Sequence, residues 1–147
     1  MSYCTLDDLK AALPERTLIQ LTDDAGAGEV DQTKVDDAVQ YAGSMIDGYL
    51  GGRYTLPLDP VPALIRAVAV DLSIFHIYSR NSDAEMPRTV SDKYPNATKL
   101  LGLIQRGEVQ IGVTPISGSG DGGGSGSYRT NKRSSDRVFG PDVLKRF

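Results

Sequence analysis

The chain has 147 residues, of which 24% are charged, with a formal net charge of −3 and one cysteine, Cys4. This length fits one domain with an appendage, and a lone cysteine excludes an internal disulfide and a cysteine-based zinc site. The sequence has no apolar run of the roughly 18 residues that span a bilayer and no secretory signal pattern. We therefore expect a soluble, non-exported protein that does not contact membranes.

Two short helical segments are predicted near the N-terminus. The sequence from Thr5 to Asp8 resembles a capping box with Asp in place of the usual Glu, and leucines follow at helical spacing. Pro14 is expected to close this first helix. Residues 17–21 are expected to add a further turn of helix before a polar loop.

Two long helices dominate the middle of the predicted fold. Residues 31–50 carry a continuous apolar stripe at helical spacing, with Asp31 or Thr33 as the cap and Gly51 and Gly52 as a left-handed stop. After a proline-rich extended stretch, Pro62 is expected to be the first residue of a helix that reaches about residue 80. That helix is apolar on nearly every side, which predicts a central position.

Two polar residues interrupt the central helix. We expect Asp71 either to pair with an arginine such as Arg53 or to reach the edge of the domain, because an unpaired buried charge is costly. We interpret His76 as structural, since the sequence has no second histidine to complete a ligand set or a catalytic site.

The sequence of the last part of the body predicts a helix followed by a strand. Residues 89–106 form the helix, in which Pro95 produces a kink or marks the true start, and Gly107 ends it. Residues 108–113 alternate like one strand, which needs a partner strand that another subunit would supply if this chain does not. The predicted fold class is all-α: a small bundle of about four helices in residues 1–116, with a short strand and an extended C-terminal arm.

The C-terminal thirty residues differ in composition from the body. Residues 117–127 are a Gly/Ser run that predicts a flexible linker. Residues 128–147 hold 6 Lys and Arg against 2 Asp and Glu (+4), whereas residues 1–127 hold 10 against 17 (−7). The basic and apolar side chains of this terminal arm are Arg129, Lys132, Arg133, Arg137, Val138, Phe139, Val143, Leu144, Lys145, Arg146 and Phe147. Because so short a segment cannot bury its own apolar residues, we expect it to dock on a partner; the alternative is a solvated tail that is basic for solubility.

The sequence lacks the patterns of catalysis and cofactor binding. One histidine and one cysteine argue against a histidine-dependent triad, and the Gly-rich stretch lacks the Lys-Ser/Thr that closes a phosphate loop. The loop that begins at Asp23 has Ala25, Ala27 and Lys34 where a calcium loop places ligands. We expect no enzymatic activity, no metal and no cofactor.

A larger pattern covers about residues 3–113. Its core is Ile46, Asp47, Gly48, Tyr49 and Leu50, followed by Arg53 and Tyr54. Its outlying parts are residues 18–23, residues 56–58, Val61, Pro62, Tyr94, Leu100, Leu101, Gly107 and Val109. This pattern resembles the phage Mu-like family of head-to-tail connector proteins, and the arm resembles the C-terminal arms of such proteins. The resemblance gives the seven core residues a structural role.

The resemblance implies a neck adaptor of a long-tailed phage. Such a subunit forms a ring, expected to be dodecameric, attaches to the portal protein by its C-terminal arm, and presents its other face to a stopper or tail-terminator protein. It is assembled in the host cytoplasm and resides in the virion at the head-tail junction. DNA passes through the lumen without specific binding, which an acidic wall favours by repelling phosphate; residues 23–37 are a candidate for that wall.

Two alternatives stay open at this point. The alternative function is that of a tail-completion or regulatory protein whose basic arm binds nucleic acid. Within the motif, Asp47 and Arg53 are expected to brace one another inside a subunit or, less favoured, to pair between subunits.

Overall fold

The structure, a computed structural model, describes residues 2–81 and 84–116 as a bundle of five α-helices. The helices are α1 (Leu6–Ala12), α2 (Glu15–Thr22), α3 (Gln32–Leu50), α4 (Ala63–Arg80) and α5 (Arg88–Arg106). The described residues contain no strand. The all-α class is therefore confirmed, with five helices in place of about four, while the linker and the arm lie outside the described residues.

The predicted capping box forms at the start of α1. The Asp8 amide donates to Thr5 Oγ1 at 3.3 Å, and the Thr5 amide donates to Asp8 Oδ2 at 2.8 Å. Pro14 both follows the first helix and occupies the N-cap position of α2, because its fixed φ suits a helix start.

Helix α2 is longer than the single turn that the sequence predicts. Its Leu18 and Leu21 are buried, and this face packs against α4. The Thr22 hydroxyl donates to the Leu18 carbonyl at 2.7 Å and accepts from the Asp31 amide at 3.2 Å. This side chain thereby joins the end of α2 to the N-cap of α3.

The central position of α4 is confirmed. It contacts each of the other four helices, and α3 also packs against α5, so α3, α4 and α5 form the middle of the bundle. Ile65, Leu72 and Ile77 of α4 have no exposed surface. The residue before the helix, Pro62, is its N-cap, so α4 begins one residue later than predicted.

The predicted strand at residues 108–113 is wrong. Helix α5 continues through Pro95 to Gly107, which takes a left-handed φ of +80°. The amides of Glu108 and Val109 then turn back to the Leu103 carbonyl, at 3.0 and 3.4 Å. A second left-handed residue, Gly112 with φ +78°, interrupts any extended run. The first two residues of the segment therefore satisfy the Leu103 carbonyl near the end of α5 and do not take part in a strand ladder.

The left-handed stop predicted at the end of α3 is also wrong. Gly51 has a φ of −60° and remains right-handed. The chain turns instead through two amides, those of Arg53 and Tyr54, which both donate to the Leu50 carbonyl at 2.9 Å.

Candidate functional site

The motif residues lie where α3 ends. Ile46 and Leu50 are fully buried and Tyr54 is 1% exposed, so these three side chains belong to the core. Tyr49 is partly buried against it. Gly48 is exposed, and a Cβ built there meets nothing within 4 Å. The motif therefore combines buried apolar side chains, which fix it to the core, with an exposed position at one end of the bundle.

Asp47 is bonded to the N-terminal segment. The Tyr3 hydroxyl donates to Asp47 Oδ1, and Tyr3 itself is only 2% exposed. Burial, followed by the hydrogen bond to Asp47, raises the pKa of Tyr3 to about 12. The favoured pairing of Asp47 with Arg53 within the subunit is wrong, because the ion pairs of residues 2–81 and 84–116 do not include it.

Arg53 packs on the end of α5. It is 7% exposed, and a Cβ added to Gly107 would lie 2.5 Å from the carbon and terminal nitrogens of its guanidinium. The positive charge thus lies at the C-terminal, negative end of a helix dipole. Within the described residues, the buried Nε of Arg53 has no hydrogen-bond partner. Sequence reasoning found Arg53 and Gly107 separately but had no signal that they touch.

The backbone of Arg53 also holds the exit of the chain. The amide of Ile116, the last described residue, donates to the Arg53 carbonyl at 2.8 Å. Nearby, Ile111 is 8% exposed and belongs to the core, whereas Ile116 is 45% exposed. The motif therefore fixes the point from which the linker and the arm continue.

A second surface is an apolar groove along the first half of α4. It consists of two adjoining depressions of about 380 and 250 Å³, one beside α1 and one beside α5. Ala67, Asp71 and Lys93 line both depressions. The Nζ of Lys93 lies 2.8 Å from Oδ1 of Asp71, and the Asp71 side chain is 27% exposed. Of the two arrangements expected for Asp71, it therefore reaches the edge of the domain and does not pair with Arg53. The groove was not found from the sequence, because its walls come from three separate helices.

His76 is part of an aromatic cluster. Its ring stacks on Tyr41 with centroids 4.3 Å apart, and Phe75 stacks on Tyr94 at 4.1 Å. Burial, together with the nearby Arg80 charge, lowers the pKa of His76 below its usual value. A neutral, stacked imidazole of this kind fits the structural interpretation.

The acidic loop after α2 uses its first carboxylate locally. Asp23 accepts from the amides of Ala27 and Gly28 at 2.9 and 2.6 Å, and these bonds lower its pKa.

Across residues 2–81 and 84–116, no three His, Cys, Asp or Glu side chains come together as a metal site. Over the same residues, no helix is both long and apolar enough to cross a membrane. The predicted docking residues, from Arg129 to Phe147, lie outside the described part of the chain.

Comparisons with known proteins support the family resemblance that the motif indicates. Residues 3–123 match the family model described as Bacteriophage Mu, Gp36. Gene product J of Escherichia phage Mu is 28% identical over 114 residues, which cover 77% of this chain and 78% of that protein. The Mu-like prophage FluMu protein gp36 of Haemophilus influenzae is 30% identical over 88 residues, which cover 60% of each chain. Because the family model spans most of the chain, including the motif and the end of α5, the protein belongs to the Bacteriophage Mu Gp36 family.

Proposed function

We propose that the protein is a structural component of the virion neck, a head-to-tail adaptor that forms a ring beneath the portal. Membership of a family from phage Mu and Mu-like prophages supports a phage assembly role. The described body fits a passive building block, since its buried apolar side chains form one core that extends from Tyr3 to Ile111.

The observation that carries this proposal is the place from which the terminal arm departs. Ile116 is bonded to Arg53 at the motif end of the bundle, and the linker and the basic arm follow directly. A Gly/Ser linker of this length has a root-mean-square span of roughly 17–20 Å. The arm can therefore search for a binding surface while the body stays in place.

The chemistry of the arm suits a protein partner. Burial of its valines, leucine and phenylalanines contributes roughly 25 cal/mol per Å², and arginines form bidentate pairs with carboxylates. In a ring, each bound arm raises the effective concentration of the other arms at the partner's surface, so many weak contacts together give stable attachment. The partner of the arm is the portal protein, and a stopper or tail-terminator protein binds the opposite face.

The charge of the body suits a channel wall. Residues 1–127 carry −7, and such a wall repels the phosphates of DNA that passes through the lumen. This role requires no catalytic group and no cofactor.

Loss of the aromatic anchors of the arm tests the proposal. Replacing Phe139 and Phe147 with Ala should weaken co-sedimentation with the cognate portal at least about tenfold, because truncated aromatic anchors typically cost more than 1 kcal/mol each. Tyr128→Ala, an aromatic truncation at the start of the same arm, is the matched control and should retain attachment. The circular-dichroism melting curve should be the same for all variants. Unchanged attachment of the double variant would rule out docking by the arm.

A nucleic-acid-binding arm is the second candidate, favoured by the charge of +4 in residues 128–147. Binding through phosphates weakens steeply with salt and is insensitive to base sequence. Attachment that depends on Phe139 and Phe147 and tolerates salt supports the adaptor. Binding to DNA that is lost with salt and unaffected by the double variant supports the second candidate.

A further inference from the structure

The groove on α4 exposes apolar surface that the described residues leave uncovered. Leu64 is 37% exposed at one end of it, one of two large exposed hydrophobic residues in the described chain. Ala63 and Ala67 are small and exposed, so another chain can approach the helix backbone closely. Concave binding sites have volumes in this range and are lined mainly by apolar side chains with a few polar groups.

The groove starts at the end of the bundle where the chain departs. Leu64 and Leu100 line the same depression, and Asp71 pairs with Lys93, so α4 and α5 run antiparallel. The start of α4 therefore lies near the end of α5, where Gly107 meets Arg53. Ile116 is bonded to the carbonyl of that same arginine. Chain that continues beyond Ile116 begins near the open end of the groove.

The length of that chain fits the groove. The linker spans roughly 17–20 Å, whereas the eight-residue step from Ala63 to Asp71 along α4 is about 12 Å. The arm can thus reach every part of the groove without strain. The arm also contains apolar side chains, among them Phe139, Leu144 and Phe147, whose burial away from water is favourable.

Charge favours the encounter but does not fix the position of the arm. The arm carries +4 against −7 for the rest of the chain, and this long-range attraction raises the local concentration of the arm at the body. The groove itself is balanced, with Asp8 and Asp71 against Arg66 and Lys93. The apolar contacts therefore decide where the arm binds.

We infer that in the free subunit the α4 groove binds residues 128–147 of the same chain. The inference rests on the proposed function only in using the same arm, for which the portal would then compete. Occupation of the groove would cover both apolar surfaces until the portal is present, so that free subunits do not associate through their arms.

A spin label on the arm of the full-length protein tests this. With a nitroxide at Ser135→Cys, the amides of Ala67, Val70 and Asn96 should lose peak intensity, while that of Ser44 on α3 should not. Cys4, at 4% exposure, is shielded from the label. Ala67→Lys, which fills the groove and repels the arm, should restore the groove peaks; Ser44→Lys, at another exposed helix position, should not.

Three results would overturn the inference. The groove amides keep full intensity; the loss is equally large when the labelled and the isotope-enriched molecules are different copies; or the loss persists in both Ala67→Lys and the Phe139→Ala, Phe147→Ala double variant. The double variant leaves the body untouched, so it is informative even if Ala67→Lys fails to fold. Because no portal is present, failure here leaves the adaptor proposal standing, and failure of portal attachment leaves this inference standing.

Discussion

Arg53 connects three parts of the molecule that are distant in sequence. Its guanidinium packs on Gly107 at the end of α5, its amide closes the turn after α3, and its carbonyl holds Ile116. A buried guanidinium needs compensation for its lost hydration, and the negative C-terminal end of the α5 dipole supplies part of it. The contact with Gly107 should therefore be sensitive to added volume.

Gly107→Ala should destabilise the protein more than Gly112→Ala. Both glycines have left-handed backbones, so each substitution costs about 1–2 kcal/mol in backbone strain. Only at Gly107 does the new methyl meet Arg53, and such overpacking adds about 1–3 kcal/mol. Urea denaturation of the two variants measures the difference. Equal losses would show that the guanidinium moves aside without cost.

The bond between Tyr3 and Asp47 should make stability depend on pH in alkaline solution. The folded-state pKa of Tyr3, about 12, is above the usual value near 10. Folding therefore favours the protonated phenol, and this contribution is complete below about pH 10 and disappears as the pH approaches 12. Tyr3→Phe should remove that pH dependence.

The same substitution should also lower stability at neutral pH, by about 1.5 kcal/mol, since a hydrogen bond to a carboxylate is lost. Tyr49→Phe is the matched control, because Tyr49 lies on the same helix as Asp47 and is partly buried. Denaturant midpoints between neutral and alkaline pH measure both effects. Parallel curves for wild type and Tyr3→Phe would refute the contribution of this bond.

The residues of the motif were predictable, but their partners were not. Ile46 and Leu50 fall in the core, as the apolar stripe of α3 indicates. Tyr54, which lies beyond that stripe and was expected to be structural only from the family resemblance, is buried as well. The Tyr3–Asp47 bond joins residues 44 positions apart, and local spacing contains no information about such a pairing. The sequence therefore favoured the nearby Arg53 as partner of Asp47, an assignment that the structure corrects.

At the scale of helices, α4 has a core face and an exposed face. Leu72 has no exposed surface, whereas Leu64 is 37% exposed. Leu72→Ala should cost about 2–5 kcal/mol because it leaves a cavity, while Leu64→Ala should cost less than about 1 kcal/mol. Thermal and urea unfolding compare the two. Similar losses would contradict the placement of α4 in the bundle.

The long helices followed from the sequence because their signals are local. The apolar stripe of α3 and the end of α5 at Gly107 occur as predicted, and Asp31 is the cap of α3, one of the two residues expected there. The errors arose where tertiary contacts decide. Helix α2 is longer than predicted because its leucines are buried against α4. The chain after α5 turns back because the amides of Glu108 and Val109 donate to the Leu103 carbonyl.

The whole molecule combines an acidic body with a terminal segment of opposite charge. The body has its own core within the described residues, so the arm is not needed to complete that core and can bind to a surface. Our two proposals give the arm two alternative surfaces: the α4 groove before assembly and the portal afterwards. Such an exchange would couple attachment to the presence of the portal, since binding at one surface competes with binding at the other.

Electron microscopy of the cognate portal mixed with the full chain, beside a version ending at Ser127, tests the adaptor role most directly. We predict a ring of added density beneath the portal with the full chain and none with the shortened version. A ring with both versions would keep the adaptor role and move the attachment to the helical body. No ring with either version, on intact portals, would contradict the proposed function.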